Sequence, residues 1–263
     1  MMRFGALLAL ALSCVAQNDD PQAWMARGLD AFKGQRYAEA AKDFEQALVI
    51  NPESVRARQY LATSYAVQYI PGANTPDNAA FLEKARTNFA KLLALDPRNR
   101  TAIEYLAKLS MEDASGATSP ADKTAKLDRA REWYRKLTDL EPQNKEAFEK
   151  LGEIDWQEAY PQWSKARADA GLKTDDEGPI PNEAARNELR TRIGPLCDDG
   201  IRELTHALDI DPGYADALQY MNLLLREKAD LAASRDEYER AIRDAEGLSQ
   251  KVREAREASP ANP

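Results

Sequence analysis

Cysteine and histidine are almost absent from this chain of 263 residues: Cys14, Cys197 and His206 are all there is. Two cysteines cannot staple a fold, and if Cys14 belongs to an N-terminal leader, Cys197 has no partner within the chain. A single histidine without cysteines or carboxylates at ligand spacing makes no metal site, so a packing or surface role is expected for His206. Cys197 reads as a half-buried packing residue; the sharper alternative is a reactive thiol at an electropositive helix end. Glycine is scarce at 12 residues, and neither a glycine-rich phosphate loop nor a nucleophile motif occurs. Asp175-Asp176-Glu177 lacks the alternating spacing and downstream glutamate of a calcium loop and reads as a solvated turn. No cofactor and no enzymatic activity are therefore expected. Lysine and arginine number 36 against 44 acidic residues, a formal charge of -8, which argues against nucleic acid as a partner.

Long apolar runs are missing too, with one short exception. Phe4-Gly5-Ala6-Leu7-Leu8-Ala9-Leu10-Ala11-Leu12 follows Arg3 and leads into Ser13-Cys14-Val15-Ala16. A positive start, a short apolar stretch and small residues at its end read as an export signal over residues 1–16. It is too short to span a bilayer, which takes about 20 apolar residues. Two processing routes fit. Cleavage after Ala16 gives an exported, periplasmic or envelope protein. Ala11-Leu12-Ser13-Cys14 also resembles a lipobox, which would lipidate Cys14 and tether the body to a membrane by an anchor.

The body, residues 17–263, carries one phrase four times: a small residue, a bulky one four later, and a proline eight after that. It runs Ala40, Phe44, Pro52; Ala85, Phe89, Pro97; Ala130, Tyr134, Pro142; and Gly200, Leu204, Pro212. A recurring helix end of this kind implies stacked helix pairs. The expected fold is all-α, a single solenoid with repeats at about 21–53, 54–98, 99–143 and 144–212, then a capping helix pair at 213–258.

Trp24, Gly28, Ala40, Phe44, Ala47 and Pro52 resemble the signature of the tetratricopeptide repeat (TPR). The resemblance implies a right-handed solenoid whose first helices line a concave groove for peptides. Later repeats are enlarged: their prolines stand 45, 45 and 70 residues apart, against about 34 in the family. Thr75-Pro76 and Ser119-Pro120 predict early-starting second helices of about twenty residues. The large insertion near 161–195 should hold a loop at 171–181. Pro161 is expected to kink or end one helix, and Gly194-Pro195 to break or kink the next. The chain as a whole is also similar to exported bacterial TPR proteins of unassigned function.

Projected onto this sequence, the family pattern places Met25, Leu29 and Phe32 in the groove. It adds Arg56, Gln59 and Thr63, then Glu104, Lys108 and Met111, and from the capping pair Gln219, Leu223 and Arg226. The fourth repeat stands out, with Glu146, Glu149, Glu153 and Trp156 on one stripe, Gln157 beside it, and Tyr160 and Trp163 following. The basic clamp of chaperone-binding members is missing. An acidic, aromatic stripe suits a basic partner segment with an apolar anchor; packing beneath the insertion is the plainer alternative for the tryptophans. The expected function is that of an exported protein-interaction scaffold. An envelope-assembly lipoprotein, of the barrel-assembly or pilus-assembly type, is the second reading. A ligand-binding protein or enzyme with its site around Trp156, Trp163 and Cys197 is the third.

Overall fold

The computed structural model describes residues 20–173 and 176–258; the export signal expected over residues 1–16, Cys14 included, lies outside the described residues. Ten α-helices follow one another: α1 (Pro21–Lys33), α2 (Tyr37–Ile50), α3 (Val55–Ala66), α4 (Pro76–Leu95), α5 (Arg100–Ser115), α6 (Pro120–Leu140), α7 (Lys145–Asp169), α8 (Glu183–Ile210), α9 (Ala215–Ala229) and α10 (Arg235–Ala258). Most starts are written in the sequence, α2 and α9 being without a side-chain cap. Asp20, Ser54, Thr75, Asn99, Ser119, Asn144 and Asn182 each accept a hydrogen bond from a backbone N–H of the first turn, which satisfies donors the helix itself leaves open. Pro76 and Pro120 begin helices of 20 and 21 residues.

The repeated phrase is the core. Ala40, Phe44, Ala85, Phe89, Ala130 and Leu204 are fully buried, and Tyr134 nearly so. The small residue admits the neighbouring helix and the bulky one fills the gap. A Cβ on Gly28 would stand 2.6 Å from the Phe44 ring, and one on Gly152 2.4 Å from Leu204 Cγ. Hydrophobic clusters run through the repeats in sequence order, as nearest-neighbour stacking requires.

Each helix packs on the next in the chain, and two odd pairs also touch directly, α3 with α5 and α7 with α9. No comparable packing joins one even helix to another. The stack therefore curves toward its odd layer, which forms the inner face. Two steps differ. Between α1 and α3, and between α5 and α7, direct packing is marginal or missing, and α2 and α6 bridge them instead; at the first step the Phe32 and Tyr60 rings still meet across the gap.

The prolines of the fourth repeat do not end their helices, which excludes one of the two outcomes expected from sequence. Pro161 lies inside α7 and Pro195 inside α8, and both helices run through. An interior proline costs about 3 kcal/mol, and burial on either side outweighs that. Ala159 and Arg167 are buried on α7, and Leu189, Ile193 and Cys197 on one face of α8. The insertion near 161–195 is mostly a helical hairpin, and its non-helical stretch falls between Ala170 and Asn182 among the described residues, where the loop at 171–181 is expected from sequence.

Candidate partner-binding surface

The concave face is built from the odd helices, and its residues divide sharply by burial. On α1, Met25 is buried, while Leu29 and Phe32 pack against the first core cluster. Phe32 meets Tyr37 and Tyr60 edge-on, each at 5.3 Å. These three are structural. On α3, Arg56 is exposed, with its guanidinium 6.0 Å from the Tyr60 ring. Gln59 donates to Thr101 Oγ1 at 3.5 Å, tying α3 to α5, and Thr63 is buried. On α5, Glu104 pairs with Arg100 at 3.6 Å and the exposed Lys108 with Glu112 at 3.8 Å. Met111 is half-buried.

The acidic and aromatic stripe of α7 does not lie open to the groove; most of it is the face that packs on α9. Glu149 is only 1% exposed. Its oxygens make no hydrogen bond, and Lys150 Nζ stands 3.4 Å away. Burial pushes its carboxyl up to about 7, with Lys150 opposing and Glu153 adding to the rise. Glu149 thus cannot present itself to a partner. Glu153 is half-buried between Lys150 Nζ at 2.6 Å and Gln157 Nε2 at 2.9 Å, and is hydrogen-bonded to Tyr220. Trp156 is wedged between Tyr160 and Tyr220, at centroid distances of 5.3 and 5.4 Å. The Trp163 indole donates to Asp230 Oδ2 at 2.8 Å. Only Glu146 and Tyr160 of that stripe are exposed, Tyr160 at 43%. On α9, Gln219 accepts from Arg256, Leu223 is half-buried, and Arg226 donates to Asn222 Oδ1.

Acidic side chains that are exposed or half-buried, Glu104 and Glu112 of α5 and Glu153 of α7, instead border a corridor between α5 and α7, where direct packing is marginal or missing. Tyr134 of α6 sits between them, and burial holds its hydroxyl far above the usual tyrosine range. Glu153 and Glu149 from α7, and Glu112 and Glu104 from α5, push it the same way. Partial desolvation also raises Glu112, against the pull of Lys108. Both walls of this corridor therefore carry glutamates around one tyrosine. Sequence spacing could not reveal that, because the four glutamates come from two repeats.

Sequence reasoning also missed a buried polar knot behind the aromatic stripe. Arg167 donates to Asp230 Oδ2 at 2.6 Å and to the carbonyls of Lys173 and Asp176. Ile180 N–H donates to the Asp230 carbonyl at 3.1 Å. Arg167 and Asp230 thereby pin the loop between α7 and α8 onto α9. A signal did exist, since Glu227 falls between Leu224 and Leu231 in an apolar stripe at steps of three and four.

Around Cys197 there is no exposed nucleophile. The thiol is fully buried in mid-α8 rather than at a helix end, and burial, then the charge of Glu227, pushes it up to about 12. His206 is exposed beside the Phe148 ring at 5.3 Å. In the acidic turn, where Asp175 lies outside the described residues, Asp176 accepts from Lys173 N–H at 2.6 Å and Glu177 is exposed. Among the described residues no three histidine, cysteine or acidic side chains could hold a metal ion, and no helix is long and apolar enough to cross a membrane.

Comparison with known proteins gives the same architecture. Residues 21–54 match the tetratricopeptide repeat family. No curated protein matches the chain. Among solved structures, MamA from Desulfovibrio magneticus RS-1 superposes with a TM-score of 0.57 at 13% identity, covering 92% of this chain and 97% of that one. YrrB, described as a TPR protein with an unusual peptide-binding site, superposes with a TM-score of 0.52 at 13% identity, covering 92% and 94%. At such identity the likeness speaks for the fold: an all-α, right-handed solenoid of the TPR type with enlarged repeats and a terminal helix pair.

Proposed function

We propose that this chain, a TPR protein by its first repeat and its solenoid fold, is an exported, non-enzymatic scaffold that holds a basic segment of a partner protein. A TPR-type inner face is a general support for protein–protein interaction. The corridor between α5 and α7 is the observation that carries the finer reading. There Glu104, Glu112 and Glu153 rim Tyr134 across a step where the odd helices fail to close. A lysine or arginine entering it would meet the half-buried Glu112 and Glu153, where a cation gains more than it does in water, and would compete there with Lys108 and Lys150. Glu146 extends the acidic edge, and Tyr160 offers an exposed ring for an apolar or cationic anchor. Arg56 of α3 lies on the same face beyond the corridor and would set the direction of an extended segment, while Lys108 stays with Glu112 at the corridor's α5 wall. YrrB, whose fold is similar, is described as binding peptide. The leader over residues 1–16 supports export.

The test uses exposed residues alone, because Glu149 and Trp156 are part of the packing. Crosslinking and quantitative pull-down from the native envelope would compare wild type with Glu104→Lys/Glu146→Lys and with Tyr160→Ala. Reversing two rim charges should lower partner recovery by about tenfold, equivalent to about 1.4 kcal/mol, and more at low salt. Equal recovery of the same partners by all three proteins would show that the corridor is not the binding surface.

A further inference from the structure

The seam between α7 and α9 is short of cations. It holds Glu149 and Glu153 from α7, and Glu227 and Asp230 from α9. Lys150 serves the first two and Arg167 serves Asp230. Glu227 is left over. It is 2% exposed, neither oxygen makes a hydrogen bond, and no ion pair involves it among the described residues.

What faces Glu227 offers little to hold a charge. From α7 comes the Trp156 indole N–H, itself without a hydrogen bond of normal geometry. From α8 comes the Cys197 thiol. On α9, Asp230 repels it. Lys228 is engaged by Asp198 of α8, and Arg226 is engaged by Asn222. α10 meets α9 at Asn222 through the Ala245 carbonyl and Ser249, and its charged side chains from Arg235 to Glu246 are exposed.

We propose that this seam is a proton-controlled joint: the terminal pair α9–α10 docks on α7 with Glu227 uncharged and loosens when that carboxyl ionises. An ionised carboxylate buried without a counter-ion, and with one poorly placed indole N–H as its donor, carries a desolvation cost that exposure removes. Burial accordingly raises Glu227 to about 8, Asp230 adds to the rise, and Trp156 offsets part of it. The sign follows from linkage. In the open state Glu227 ionises in the ordinary glutamate range, whereas the closed state keeps its proton to about 8. Between those two values each pH unit favours opening by about tenfold for one proton, and outside them the slope vanishes. Glu149, raised to about 7, acts in the same direction. The joint shares Glu153 with the corridor proposed above, but it turns on Glu227 and does not rest on that reading.

Native-state hydrogen exchange of the full chain tests this at the α9 amides, after correction for the intrinsic pH dependence. From pH 5 to 7 the wild-type opening constant should rise about a hundredfold through Glu227 alone. Glu227→Gln, which mimics the uncharged acid, should remove that hundredfold and protect α9 at pH 7 and above. An identical rise in wild type and variant would overturn the proposal. Should the variant fail to fold, carbon NMR of the wild-type Glu227 carboxyl decides: a midpoint near 8 is expected, and one in the ordinary carboxylate range overturns it.

Discussion

Gly152 and Gly247 have the same residue type in the same kind of element and opposite requirements. A Cβ at Gly152 would press into three carbons of Leu204 within 2.9 Å, while one at Gly247 meets nothing within 4 Å. Gly152→Ala should therefore destabilise by about 1–3 kcal/mol despite alanine's better helix propensity. Gly247→Ala should stabilise by about 0.5–1 kcal/mol. Urea denaturation midpoints check both, and shifts of the same sign would refute the contrast. Cys197 gives a second residue-scale expectation. With its thiol raised to about 12 and fully buried, it should resist a thiol reagent at pH 8 in the native protein and react once unfolded. Fast reaction of the native protein would put it near a surface after all.

At the scale of elements, α7 and α8 of the fourth repeat were the hardest to read. Caps made the starts at Pro76, Pro120 and Glu183 legible, because a hydroxyl or amide before the first turn is a local signal. Continuation through Pro161 and Pro195 was not legible, because it depends on Leu189, Ile193 and Cys197 finding buried partners across the hairpin. The loop between these helices is likewise held from afar, by Arg167 and Asp230. Arg167→Ala would leave Asp230 buried without its cation, a loss of about 3–5 kcal/mol. It would also free Lys173 and Asp176. Denaturation combined with limited proteolysis should show new cleavage between 171 and 181; an unchanged proteolytic pattern would mean the loop is held by other contacts.

The molecule as a whole is a one-dimensional stack, and its last pair is both cap and clamp. α9 covers Trp156 with Tyr220, binds Trp163 through Asp230, and places Leu224 where a Cβ on Gly200 would come within 2.6 Å. Ending the chain after Pro212 would uncover this surface. The shortened protein should bind a hydrophobic dye several times more strongly and self-associate, as an uncapped solenoid does. Monomeric behaviour with unchanged dye binding would mean that α9 and α10 only rest on the core.

The sequence by itself determined the helix pairs, their caps and the small-bulky-proline rhythm of the core. These depend on residues within one repeat or at its edge, where spacing and side-chain size are enough. It also showed that the fourth repeat was unusual and rich in acid and aromatic side chains. Only the tertiary structure decided what those side chains do. Burial turned Glu149, Trp156 and Trp163 inward toward α9 and left Tyr160 and Glu146 outside, while the glutamates of α5 stayed exposed or half-buried one step earlier. The physical reason is that a stripe on a helix is defined by local periodicity, whereas the neighbour covering that stripe is set by how the next repeat packs.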